Sequence, residues 1–179
     1  LKVQDDLTVT DDVAIGGTLT VTGDTTFNGD TATFTSANAD DPIIIIKNTR
    51  NDAASAGLQF VKDKGAAGAD GDDIGQIDFI ADNDAQQQTT FVSILSEVST
   101  AADGAEGGKY AVRLATHDGE MQTGLLLQDG NAEDEIDVTI ASGTSSVTTI
   151  AGDLVVTSGI SNASGNLTIA AASGLILDA

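Results

Sequence analysis

Apolar residues return every six positions at the start of the chain: Leu1-Lys2-Val3, Leu7-Thr8-Val9, Val13-Ala14-Ile15, Leu19-Thr20-Val21, Thr25-Thr26-Phe27 and, more weakly, Thr31-Ala32-Thr33. The outer two residues of a unit share one side of an extended backbone, and the middle one is small or polar. Asp, Gly or Asn closes the unit, as in Gly23-Asp24 and Gly29-Asp30. That pattern predicts a three-residue strand followed by a turn. A fixed period of six fits either a left-handed β-helix in one chain or a triple β-helix in which three chains wrap round each other. A triangular coil takes about three hexads, so roughly 36 residues give one chain about two coils, too few to bury a stack of repeats. Three chains together make about six coils and can bury their faces. Residues 1–40 are therefore expected to form an intertwined trimeric stalk, with Leu7, Val9, Val13, Ile15, Leu19, Val21 and Phe27 along its axis. The single-chain solenoid, as in acyltransferases, is the competing architecture.

From Pro42 the rhythm lengthens. Apolar segments at Ile43–Lys47, Leu58–Lys62, Ile74–Ala81, Thr90–Val98, Tyr110–Thr116, Leu125–Gln128 and Ile136–Ile140 have the length of ordinary strands. Several alternate: Ile74, Gln76 and Asp78 oppose Gly75, Ile77 and Phe79, while Phe91, Ser93 and Leu95 oppose Val92, Ile94 and Ser96, with both faces of the latter partly apolar. The linking stretches Asp63–Asp73 and Thr100–Gly108 are rich in Gly, Ala and acids, which is turn chemistry. Residues 41–141 are thus expected to form a β-sandwich-like bead or knob.

After Ser142 short repeats return in Asp153-Leu154-Val155-Val156, Asn166-Leu167-Thr168-Ile169 and Gly174-Leu175-Ile176-Leu177, echoing Asp6-Leu7-Thr8-Val9. They define a second repetitive β-stalk over 142–179. The expected fold is all-β, with repetitive β-helical stalks flanking a central β-sandwich-like domain. Because the chain begins and ends inside the repeat pattern, and Leu1-Lys2-Val3-Gln4 has neither an initiator Met nor a signal-peptide pattern, a piece of a longer fibre is expected.

Composition sharpens this picture. Aromatics are 3% and Trp is absent, so thin layers of Val, Ile, Leu, Ala and Thr suit the chain better than one deep core. Twenty Gly and one Pro agree with many short strands and tight turns. The net charge of −21, from 28 acids against 7 bases, repels phosphate backbones and anionic lipid heads, so neither nucleic acid nor membrane insertion is expected. No apolar run approaches bilayer length, and a soluble molecule is expected. Such an acidic surface is best tolerated where salt shortens the Debye length, which points to a marine or halophilic setting. With no Cys there is no disulfide and no thiolate metal site.

The phrases Asp41-Pro42-Ile43-Ile44-Ile45-Ile46-Lys47-Asn48-Thr49, Gly57-Leu58-Gln59-Phe60 and Asp70-Gly71-Asp72-Asp73-Ile74-Gly75-Gln76-Ile77-Asp78-Phe79 resemble a domain common in tail-fibre proteins of tailed viruses of bacteria or archaea. Thr116-His117-Asp118-Gly119 and Leu125-Leu126-Leu127-Gln128-Asp129-Gly130-Asn131 fit the same pattern, so the resemblance spans roughly residues 40 to 140. It implies a homotrimeric fibre or spike on the virion, outside the cell. Its partners would be other tail or baseplate proteins and a host cell-surface receptor, with glycans among the candidate receptors. The self-cleaving chaperone domain or distal tip that often ends such fibres is not visible here. The expected function is structural and adhesive, not enzymatic. A polysaccharide-degrading tailspike segment and a cell-surface repeat adhesin are the alternatives.

Candidate chemistry is sparse. Asp70-Gly71-Asp72-Asp73-Ile74-Gly75 begins like a calcium loop, with acids at positions one and three and Gly at six, but Ile74 and Ala81 occupy positions where ligands should close the site. Asp70, Asp72 and Asp73 are the weak calcium candidates, beside the plainer reading of an acidic turn before a strand. No other cofactor is expected. Glu133-Asp134-Glu135-Ile136-Asp137 reads as a solvated face. His117-Asp118 lacks any signalled serine partner or nucleophile elbow, and acids are too abundant for a glycosidase pair to stand out, so no catalytic residue is assigned. Asn162-Ala163-Ser164 and Asn166-Leu167-Thr168 match the glycosylation acceptor pattern but read as repeat turns.

Overall fold

A computed structural model describes residues 9–29 and 31–160. The chain divides into two units, Leu1–Leu58 and Gln59–Ala179. Every strand among the described residues lies in the second, and no described residue is helical, so the fold is all-β.

That unit holds one five-stranded antiparallel sheet in the order β1-β2-β3-β4-β5: Asp73–Asp82, Gln88–Thr100, Gly107–Ala115, Met121–Asp129 and Ile136–Ile140. Each strand pairs with its neighbours in the chain, an up-and-down meander. Five of the seven expected segments are its strands; β-branched and aromatic residues suit a pleated surface in most of them, while β4 carries the run Leu125-Leu126-Leu127. Ile43–Lys47 and Leu58–Lys62 pair with nothing in the described residues. The second layer of the expected sandwich is thus not supplied by the described residues of one chain. The run Ile43–Ile46 is as apolar and β-branched as the paired segments, so local pattern alone does not separate an unpaired segment from a strand.

Four hairpin loops of five or six residues join the strands, each closed by its own polar side chain. Asn83 Oδ1 accepts from the amides of Ala85 and Gln87 at 2.9 and 3.0 Å. Glu106 Oε1 accepts from Gly104, whose φ of 77° suits glycine. Thr116 donates its hydroxyl to Asp118 at 2.7 Å, and a Glu135 carboxylate oxygen accepts from the amides of Asn131 and Ala132. Bulges at Ile74, Phe91, Ser99 and Gly124 interrupt the ladders.

In the first unit the described residues contain no strand. No ladder or loop backbone hydrogen bond among the described residues involves a residue before Ala69. Order there is local: Asn48, Arg50, Asp52 and Ala54 tie one loop together, with an Arg50–Asp52 ion pair of 2.7 Å. The short strands expected in the hexads are therefore not paired among the described residues 9–29 and 31–40. Residues 142–160 likewise contain no strand, and the later repeats with their two acceptor patterns lie outside the described residues.

Candidate interaction surface

The register sorts the sheet into two unlike faces, because residues paired across an antiparallel ladder point to the same side. The rows Ile77–Ile94–Val112–Leu125–Ile140 and Gly75–Ser96–Tyr110–Leu127–Val138 run across all five strands on one side. Phe79–Val92–Leu114–Gln122 adds a third row, and Asp129 is the only charged residue that the ladder places on this face. The opposite face carries Gln76–Leu95–Ala111–Leu126–Thr139 and, around it, Asp78, Glu97, Lys109, Arg113 and Asp137.

Burial runs against first expectation. The least exposed side chains, Ala111 at 2%, Leu95 at 6% and Ser93, lie in the middle of the polar face. Around them on that face the register places the longer side chains Gln76 and Arg113 and a Lys109–Glu97 ion pair of 2.7 Å. The apolar face, in contrast, is open: Phe79 is 54% exposed, Leu114 45% and Val138 55%, with Ile77, Tyr110, Ile136 and Ile140 exposed as well. A shallow depression of about 250 Å³ crosses it, lined by Phe60, Gly75, Ile77, Ile94, Ser96 and Tyr110 among others. Gly75 makes room for a ring there, since a Cβ at that position would stand 2.6 Å from Cβ of Phe60.

The three acidic calcium candidates have local partners. Asp70 Oδ1 accepts from the amide of Ala101 at 2.8 Å, joining the turn before β1 to the end of β2. The Asp72 carboxylate accepts from Lys64 Nζ at 2.8 and 3.0 Å and from the Ala69 amide at 2.8 Å, and both partners hold its carboxyl below the ordinary value, Lys64 most. Asp73 opens β1 opposite Glu97. Among the described residues no group of three or more His, Asp or Glu side chains is gathered as a metal would need. Glu106, Asp129, Glu133, Asp134 and Glu135 do line one open cleft between loops, where Asp129 Oδ1 is buried without a hydrogen-bond partner. His117 sits at the tip of the β3–β4 hairpin, where Thr116 and then the Glu120 amide lower the neighbouring Asp118 carboxyl.

Of the stalk-core candidates, Leu7 lies outside the described residues. Val9, Val13, Ile15, Leu19, Val21 and Phe27 are all exposed in the single chain. Sequence alternation exposes the apolar side of β1 and β2; it does not show that β3, β4 and β5 continue it, because only the register aligns the rows. Comparison with protein-family models, with curated proteins and with solved structures gives no match for this chain.

Proposed function

We propose that the chain is a structural and adhesive segment of a homotrimeric virion tail fibre. In this reading it works outside the cell, is carried by other tail or baseplate proteins, and brings the virion to a host cell-surface receptor. The observation that carries it is the six-residue apolar period of the first forty residues, whose described apolar members Val9, Val13, Ile15, Leu19, Val21 and Phe27 are exposed in one chain, on a backbone with no partner strand among the described residues. Backbone amides and carbonyls are obligatory hydrogen-bonding groups, and short hexad strands satisfy them best against neighbouring chains. The tail-fibre phrases between residues 40 and 140 support the same reading, as does an acidic surface that keeps nucleic acid and anionic lipid away. Adhesion by such fibres rests on multivalency, in which weak contacts repeated over several fibres sum to firm attachment. No catalytic step is assigned.

Native mass spectrometry at physiological salt or above tests it. The expected species has three times the 18.0 kDa mass of the chain. Leu19→Asp is expected to dissociate it, because an unpaired charge on the axis is costly, whereas Thr20→Asp leaves it intact. A stable monomer, or equal effects of the two substitutions, would sink the stalk assignment.

A further inference from the structure

We infer that the apolar face of the five-stranded sheet is covered by the same face of two other copies of this chain, so that the three sheets close a common core about one axis. The inference rests on the trimeric reading above and adds to it a second, independent interface.

Five strands about 4.8 Å apart and some seven residues at about 3.3 Å give a face of roughly 500 Å² in projection. Isolated soluble chains seldom leave an apolar patch of that size open, and antiparallel sheets with one apolar side pack that side on something. The described residues of the second unit hold no second sheet and no helix to do so. The cover must be another surface of similar area, since a stable interface removes on the order of 800 Å² from each partner.

Charge decides whose surface it is. A chain of net charge −21 cannot bring most of its surface against a copy of itself without opposing carboxylates. The apolar face is the exception, with Asp129 at its end as the one charge in its paired rows. It is thus the side on which like chains meet without repulsion, and it leaves Asp78, Glu97 and Asp137 outside in water. Copies are also the partner always at hand. A stalk holding three chains together would keep their sheets at high effective concentration.

Because the chain has no cysteine, introduced thiols report single positions without background. Leu114→Cys places a thiol on the apolar face of the middle strand, at a site 45% exposed in one chain, and Asp137→Cys places one on the polar face. Thiol reactivity follows access, so maleimide should modify Cys at 114 at least about tenfold more slowly than Cys at 137 in the trimer, and equally fast in urea. Native mass spectrometry of the same samples identifies the species being labelled. Equal rates in an intact trimer would overturn this interface and leave the fibre reading standing. A monomer with a fast-reacting position 114 would overturn both. A monomer in which position 114 is protected would show that the chain covers its own face, and would also overturn the inference. If Leu114→Cys fails to fold, Val138→Cys, at a site 55% exposed in one chain, carries the same comparison.

Discussion

Phe60 and Gly75 show how much of this sheet depends on single atoms. The ring lies where a side chain on β1 would otherwise stand, so Gly75 is needed for close approach rather than for an unusual backbone angle. Gly75→Ala should push Phe60 off the sheet and cost about 1–2 kcal/mol, the scale of overpacking one methyl. Phe60→Ala should cost on the order of 1 kcal/mol, because the ring is only half covered. The double mutant should fall well short of the sum of the two. Urea denaturation of the four proteins of this cycle measures the coupling, and strict additivity would mean that ring and glycine do not meet. Nothing in the local sequence announces this pair, since Gly75 reads simply as the small member of an alternating strand.

At the scale of elements, each hairpin is closed by a polar side chain, and several of these carboxyls are held in their charged form. Asp118, bound first by the Thr116 hydroxyl, and Glu106, bound by its own amide and that of Gly104, both lie below their ordinary values. Asp78 is lowered in the same direction by Gln76 and then Ser93. A carboxyl whose pKa is lower folded than unfolded adds stability above the unfolded value and loses it as pH falls through the folded one. With repulsion screened by high salt, the urea midpoint should therefore hold from pH 7 to about 5 and drop below about 4. Asp118→Asn should make that drop shallower; an identical profile would assign the acid response elsewhere. The five strands were legible as apolar runs of strand length between turn-rich stretches, several of them alternating with polar residues. The lack of a second layer among the described residues was not legible, because Ile43–Ile46 and Leu58–Val61 look as strand-like as the paired segments, and nothing local says whether a partner strand exists. The bulges were hidden too, since an extra residue such as Gly124 is visible only against the strand beside it. The apolar face was half legible for the same reason.

Charge governs the behaviour of the whole molecule. At −21 per chain, acids crowded on few surfaces repel most at low ionic strength, where the Debye length is about 30 Å at 0.01 M. Raising sodium or potassium chloride from 0.01 to 1 M should raise the melting temperature, and equally for the two cations. Calcium should add only what its ionic strength explains, since Asp70 and Asp72 already have partners in Ala101, Lys64 and Ala69. Saturation at low calcium, abolished by Asp72→Asn, would restore a specific site. A melting temperature independent of salt would show that the acids are neutralised within the fold.

The meander also bears on how such a chain comes into being. Every strand pairs with the one just before it across a loop of five or six residues, so each ladder can close as soon as its second strand exists. Loop closure over so short a span costs little entropy, and low contact order makes folding fast. During synthesis the sheet can therefore zip up in order from β1 to β5 on a nascent chain, without waiting for a distant segment. What it then presents to the crowded cell is a finished strip with one greasy side, and if copies meet on that side as inferred above, the slow, concentration-dependent event is the meeting of strips rather than the making of one.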